Sequence, residues 1–375
     1  MKKKSKESIA EHFEAVEDPR IERSKEHLLI DILTIAILAV ICGADGWVGI
    51  ETYGKSKYTW LQTFLALPNG IPSHDTFARV FARLDPEQLQ SCFLNWVRSV
   101  SRVTEGEVIA IDGKTVRRSY DKGKDKGAIH MVSAWASQNR LVLGQRKIED
   151  KSNEITAIPE LLKVIDIQGC IVTIDAMGTQ KEIAKQVIEQ DGDYVLALKG
   201  NQGNLFEDVQ QIFAIAQSQD FKDIDYDFYE TLDTGHGRIE RRRYWSLGQV
   251  ESLIDAQKWA QFSSITMVES LRKCDGKTSR ELRYYISSLE PDAKCLAESI
   301  RSHWGIENSL HWVLDVAFRE DESRIRTGNA PENFTLLRQI ALSALNQEKT
   351  AKVGLKNKRL RAGWDDLYLL QVLVG

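Results

Sequence analysis

Apolar positions follow three different periods along this chain. Up to about residue 104 they recur at helical spacing, as in Ile30, Leu33, Ala36, Ile37, Val40 and Ile41. The segment Leu28–Cys42 is the most apolar, but it carries Asp31 and is too short to span a bilayer, so it reads as a buried helix. A turn-rich break, Leu67-Pro68-Asn69-Gly70-Ile71-Pro72-Ser73, precedes a helix expected over about 75–84. Asp85-Pro86-Glu87-Gln88 then restarts a helix, with Asp85 as N-cap, Pro86 in the first turn and Gln88 at the capping-box position. Two short helices so tightly joined read either as a helix-turn-helix or as part of a plain helical bundle.

From Glu107 the period shortens. Val108–Ile111 is a short apolar run ending in Asp112, the pattern of a buried central strand. Ile129–Ser137 and Leu141–Ile148 follow as further strands, giving a three-strand antiparallel meander. A helix over Ile155–Ile165, a strand over Cys170–Ile174 ending in Asp175, a helix over Lys181–Gln190 and a strand over Tyr194–Leu198 complete the order β-β-β-α-β-α-β. That order is the order of a ribonuclease H-like fold. After a helix over Leu205–Ala216, strand-like runs take over at Tyr226–Leu232, Ile239–Ser246, Ser264–Val268 and Leu282–Ser288, and helix returns from Cys295.

The expected architecture is therefore mixed α/β: a ribonuclease H-like core with a β-rich insertion, plus an N-terminal all-helical domain. Its boundaries are 1–104 (helical, DNA-binding), 105–216 (first part of the core), 217–292 (insertion), 293–346 (return to the core) and 347–375, a basic C-terminal tail holding Lys349, Lys352, Lys356, Lys358, Arg359 and Arg361.

Composition narrows the class without naming it. The 375 residues are 42% hydrophobic and 28% charged, as in ordinary soluble globular proteins. A net charge of −4 gives no whole-protein field for nucleic acid, so any basic surface is local. Five scattered cysteines form no C-x-x-C motif, which favours a reducing, cytoplasmic compartment. The Met1-Lys2-Lys3-Lys4 start lacks the apolar run of a signal peptide, and no membrane association is expected.

The chemistry lies in carboxylates at strand ends. Asp112 and Asp175 each close an apolar strand, and small residues follow (Gly113; Ala176 and Gly178). At the same end of neighbouring strands they would share a divalent cation, since hard cations select carboxylate oxygens. Alternatively, each aspartate merely caps a turn. Glu307, in the run Arg301-Ser302-His303-Trp304-Gly305-Ile306-Glu307-Asn308-Ser309-Leu310-His311-Trp312, lies beside an apolar stripe of Ile306, Leu310, Val313 and Leu314. Three such carboxylates would hold two magnesium ions, with manganese as a substitute, about 3.5–4 Å apart. His303, Glu307 and His311 at i, i+4, i+8 also fit zinc in type. Trp304 and Trp312 beside them favour packing or phosphate contact instead.

Against these residues, the chain resembles the H-repeat-associated proteins, bacterial insertion-sequence transposases with an Asp-Asp-Glu active site. The motifs run in order over nearly the whole length: D-P-R at Asp18, G-I-P-S-H-D-T at Gly70–Thr76, A-I-D-G-K-T at Ala110–Thr115, K-S-N-E-I-T-A-I-P-E-L-L at Lys151–Leu162 and T-I-D-A-M-G at Thr173–Gly178. They continue with L-K-G-N-Q at Leu198–Gln202, H-G-R at His236–Arg238 and H-W-G-I-E-N-S-L-H-W-V-L-D-V at His303–Val316. The resemblance implies a ribonuclease H-like core and the catalytic trio Asp112, Asp175 and Glu307. It also implies double-stranded DNA partners (terminal inverted repeats and target) and a homodimer in the synaptic complex. Where the wider superfamily carries a tyrosine, an arginine and a lysine around the glutamate, this chain has Ile300, His303 and Leu314.

On this reading the enzyme cleaves a phosphodiester at each element end and transfers the freed 3′-hydroxyl to target DNA. Candidate DNA contacts are Lys114, Arg117, Arg118, Lys199, Asn201, Gln202, His236 and Arg238, with Arg241, Arg242 and Arg243 as either phosphate contacts or a solvated strand edge. Arg301, His303, His311, Arg324 and Arg326 are the local substitutes for the missing superfamily residues. An inactive DNA-binding remnant and a structure-specific nuclease on the same fold are the two rivals.

Overall fold

The structure, a computed structural model, describes residues 9, 11–101, 105–120, 127–148, 153–235, 237–274 and 276–374. Helices come first: α1 (Leu29–Ile41), α2 (Trp47–Ser56), α3 (Tyr58–Leu61), α4 (His74–Arg83) and α5 (Pro86–Val100). The apolar α1 is buried on nearly every side, so its one carboxylate needs a partner. Asp31 accepts a hydrogen bond from the Leu67 N–H at 2.9 Å, and burial pushes its carboxyl above the usual range. Asp85 caps α5 as its sequence implies, accepting from the Glu87 N–H at 2.9 Å. Gln88 does not close a capping box. Its Oε1 accepts from the Glu17 N–H at 3.0 Å and ties the N-terminal segment to α5.

One nine-stranded sheet runs through the molecule. Its strands are β1 (Val108–Thr115), β2 (His130–Ala136), β3 (Leu141–Lys147), β4 (Ile171–Ile174), β5 (Asp193–Leu198), β6 (Asp227–Gly235), β7 (Arg238–Leu247), β8 (Ser264–Cys274) and β9 (Lys277–Ser287), in the order β3-β2-β1-β4-β5-β9-β8-β7-β6. β1, β4 and β5 are parallel, as their crossover helices α6 (Glu154–Leu162) and α7 (Lys181–Glu189) require. β1–β2–β3 is the antiparallel meander. The later strands make no separate sheet: β9 pairs antiparallel with β5, and β8, β7 and β6 follow outward.

α8 (Gly203–Ser218) precedes the outer hairpins. After them come α9 (Ala293–Gly305), a π-helical turn (Ile306–His311) and α10 (Trp312–Phe318). The last helices are α11 (Ala330–Gln347), α12 (Leu355–Trp364) and α13 (Asp366–Val374). α9 covers one face of the sheet, where Val108, Ile171, Val195 and Tyr285 meet Leu296, Ala297 and Ile300. The alternate residues Ile109, Ile111, Val172, Ile174 and Leu196 belong to the main core with Ile158 and Leu161 of α6 and Ile183 and Val187 of α7. That same core contains α1, α4, α5 and α11, so the N-terminal helices and the sheet share one apolar interior.

The basic C-terminal stretch is largely helical, and part of it serves the fold. Lys358 donates to the Leu345 carbonyl at 2.9 Å and pairs with Glu348 at 3.3 Å. Arg359 donates to the Val40 carbonyl at 2.8 Å and lies over the Phe318 ring. Among the described residues no helix is long and apolar enough to cross a membrane.

Candidate active site

Parallel pairing of β1 and β4 puts Ile111 beside Ile174. Asp112 and Asp175 therefore follow at adjacent strand ends. Asp175 starts a tight turn in which its Oδ1 accepts from the N–H groups of Met177 (3.0 Å) and Gly178 (3.3 Å). A Cβ at Gly178 would lie 2.3 Å from Ile174 Cγ2 and 2.7 Å from Ile158 Cδ1, so only glycine lets the turn pack down. Asn201 and Gln202, expected at DNA, instead donate to the carbonyls of Ala176 (2.6 Å) and Thr179 (2.7 Å) and pin this turn.

Glu307 arrives from across the sheet face on the π-helical turn. Its i→i+5 bonding shifts the side chains that follow relative to an α-helix, and such insertions recur at functional sites. Ile306 and Leu310 are buried under the turn while Glu307 is exposed. Asp175, Glu307, Lys199 and His303 line one cavity of about 350 Å³, walled by Tyr284, Tyr285 and Trp304. His303 Nδ1 lies 3.0 Å from Thr173 Oγ1, and burial holds its imidazole below the usual range.

Asp112 is the electrostatic centre. Burial pushes its carboxyl up to about 7 against the opposing Gly113 N–H, and the charges of Glu154, Asp175 and Glu307 add to the rise. His311 Nδ1 lies 3.5 Å from Asp112 Oδ2, too far for a good hydrogen bond. Burial, with the Lys114 ammonium nearby, takes His311 down to about 4, so it is neutral at pH 7.

Glu154 was not singled out by sequence reasoning, although it lies inside the Lys151–Leu162 motif. At the first turn of α6 it accepts from His130 Nε2 at 2.8 Å, and His130 Nδ1 meets Thr115 Oγ1 at 2.8 Å. A Cβ on Gly113 would fall 2.0 Å from Glu154 Oε1 and 2.4 Å from His130 Nε2. Gly113 thus clears space for this pair.

The basic candidates divide. Lys114 turns inward: its Nζ lies 2.5 Å from Asp315 Oδ1 and 2.7 Å from Glu320 Oε2, so it holds protein carboxylates where a phosphate had been expected. Arg117 is exposed beside Asp321 (3.3 Å), and Arg118 and Arg324 are exposed. Arg326 donates to the Arg118 carbonyl at 3.1 Å and covers Tyr120. Arg238, Arg242, Arg272, Arg283 and Arg301 line a second cavity of about 400 Å³ that shares Arg283, Tyr285 and Trp304 with the first. Arg242 there pairs with Asp233 and Glu240, each at 2.6 Å, and Arg241 and Arg243 pair with Glu230 at 3.8 and 2.9 Å. His236 lies outside the described residues.

Among the described residues no three His, Cys, Asp or Glu side chains already close on one ion. The i, i+4, i+8 zinc pattern is broken by the π turn. His303 faces Thr173, His311 faces Asp112, and Glu307 faces the cavity.

Residues 104–344 match the family described as the transposase DDE domain, and residues 10–97 match one described as DDE_Tnp_1-associated. "H repeat-associated putative transposase YhhI" of Escherichia coli (strain K12) is 42% identical over 372 residues, 98% of this chain and 98% of that protein. "Putative transposase YncI" of Escherichia coli O157:H7 is 43% identical over 373 residues, 98% of this chain and 95% of that one. Among solved structures, a piggyBac transposase synaptic complex with hairpin DNA gives a TM-score of 0.43 at 13% identity, covering 94% of this chain and 75% of that one. That likeness is too slight to define the fold.

Proposed function

The chain belongs to the transposase DDE-domain family, and from that premise we propose that it cuts DNA at the ends of an insertion sequence and joins the freed 3′ ends to target DNA. Asp112, Asp175 and Glu307 are the catalytic carboxylates of this reading. The observation that carries it is the crowding at Asp112: a part-buried carboxyl pushed up to about 7 beside the charges of Glu154, Asp175 and Glu307. Such repulsion is costly in the protein alone and is relieved by a cation.

Asp112, Asp175 and Glu307 would hold the divalent cations, magnesium or manganese. When bound, these supply charge neutralisation at the phosphodiester and a water or hydroxyl of lowered pKa. The chain's own residues do the rest. The Asp175 turn is fixed by Asn201 and Gln202, which keeps that carboxylate preorganised. Neutral His311 lies against Asp112 without adding positive charge to compete for it. The exposed Lys199 stands over the cavity that contains Asp175 and Glu307, in position to meet a phosphate. The arginine-lined second cavity continues that cavity and offers a backbone path. Two copies would bring two element ends together, acting in the cytoplasm on the nucleoid.

The test incubates purified protein with DNA carrying the element's own inverted repeats, with and without magnesium, beside Asp175→Ala. Magnesium-dependent nicking at the repeat junction, lost in the variant, is expected. Equal cutting of any branched duplex would replace this reading with the nuclease. No cutting, with end binding retained, would leave a DNA-binding remnant.

A further inference from the structure

Lys114 lies two residues beyond Asp112 on β1, and Asp315 lies on α10, which continues directly from the π turn that carries Glu307. One ammonium therefore spans the two elements, 2.5 Å from Asp315 Oδ1 and 2.7 Å from Glu320 Oε2. Glu320 is 1% exposed, and its other oxygen lies 3.5 Å from Arg338 Nη1, which is buried over Phe334. The set is neutral in sum: Lys114 and Arg338 against Asp315 and Glu320. Farther along, Arg117 Nε faces Asp321 at 3.3 Å, and Arg326 reaches the Arg118 carbonyl.

An ion set that is part-buried at Lys114 and Asp315 and fully buried at Glu320 and Arg338 needs a reason. Desolvation offsets much of its Coulomb attraction, and apolar residues of similar size would often hold the same elements together equally well or better. An apolar seam, however, tolerates sliding, whereas a lysine bonded to two carboxylates has one register. Carboxylates delivered by separate elements depend on that register, because a misplacement of ~1 Å can cost ~100-fold in rate.

We propose that Lys114, Asp315 and Glu320 are positioning residues, a clamp that sets the Glu307 helix against the Asp112 strand. The clamp rests on the cleavage reading above. It replaces the expected phosphate contact at Lys114 with a contact inside the protein.

The test compares the full-length wild type, Lys114→Met/Asp315→Leu and Lys114→Arg. The double variant keeps the buried pair Glu320 and Arg338 (3.5 Å), so the charge of the set stays balanced, though Glu320 loses its hydrogen bond from Lys114. It is expected to fold, with a melting temperature lowered by the lost Lys114–Glu320 bond, and its KM for end DNA is expected to stay unchanged. The kcat of nicking is expected to fall about 10- to 100-fold, the usual scale for outer-shell support. Lys114→Arg, which keeps the charge, is expected to retain most of kcat. A folded double variant with wild-type kcat overturns the clamp, as does a loss confined to KM, which would return Lys114 to phosphate binding. If the double variant does not fold, Lys114→Arg decides: a folded, inactive arginine variant also overturns it. Asp175→Ala runs alongside. If it too nicks like the wild type, the cleavage reading has failed; if it is dead while the double variant is normal, only the clamp has.

Discussion

Two groups of cations flank the carboxylate end of the sheet, and they face opposite ways. Lys114, nearest Asp112 in sequence, is turned into the protein between Asp315 and Glu320. Arg238, Arg272, Arg283 and Arg301, far from both aspartates in sequence, line an open cavity that joins the one holding Asp175 and Glu307. Proximity in sequence to a carboxylate thus says where a charge starts, not what it meets. The inner group is proposed to set geometry. In the outer group Arg283 and Arg238 are paired with Glu281 (2.8 Å) and Glu240 (3.5 Å), while exposed Arg272 and Arg301 are the ones open to a substrate in the proposed reading. Changes among the inner residues should act on turnover and stability, and changes in the outer group on affinity and its salt dependence.

The sharpest division is expected at Asp112 itself. Asp112→Asn should reduce nicking to background while stabilising the metal-free protein. The sign follows from linkage. The folded carboxyl titrates near 7, above its unfolded value, so the folded state holds the extra proton between about pH 4 and 7, and stability falls as pH rises through that window. The asparagine variant escapes that loss, so it should be more stable than the wild type by on the order of 2 kcal/mol at pH 8, with the difference vanishing near pH 4. Denaturant melts at the two pH values without divalent cation measure it. A variant less stable than the wild type at pH 8 would break the picture of a strained carboxyl.

Gly113→Ala should cost less, about 1 kcal/mol, since the new methyl must push Glu154 off His130. Thermal unfolding checks the cost. A neutral or stabilising alanine would mean that the Glu154–His130 pair is not held against β1.

The smallest effects belong to the outer group. Arg272→Ala and Arg301→Ala should each leave kcat unchanged and lower the slope of log affinity for end DNA against log salt by about one. Arg272 is exposed, and Arg301 makes only a long, exposed approach to Asp233 at 3.9 Å, so neither is locked into the protein as Lys114 is. A fall in kcat with an unchanged salt slope would erase the distinction between the groups.

What the sequence disclosed and what it hid follow one physical rule. Asp112 and Asp175 were legible because β-branched apolar runs mark buried strands, and parallel pairing then brings their ends together. The outer halves of β8 and β9 were not: Leu271–Cys274 and Lys277–Glu281 are polar and half-solvated, held by ladder bonds and pairs such as Glu269–Arg280 at 2.6 Å. Nothing in the local pattern marks the π turn, because Ile306 and Leu310 satisfy an α-helical stripe equally well. Gln88 fitted a capping box by spacing, yet its partner, Glu17, lies on another segment. The carboxylates that Lys114 meets were hidden in the same way, since both lie about two hundred residues away. Alternation and spacing report on neighbours along the chain; charges choose their partners in space.

Asp112, Asp175 and Glu307 are proposed to act together on divalent cations. The most direct measurement is a calorimetric titration of manganese into the protein saturated with its end DNA, for the wild type, Asp112→Asn, Asp175→Ala and Glu307→Gln. Binding in the wild type that is lost or strongly weakened in each of the three variants is the predicted result. Undiminished binding in any folded variant would remove that residue from the site, and undiminished binding in all three would contradict the account.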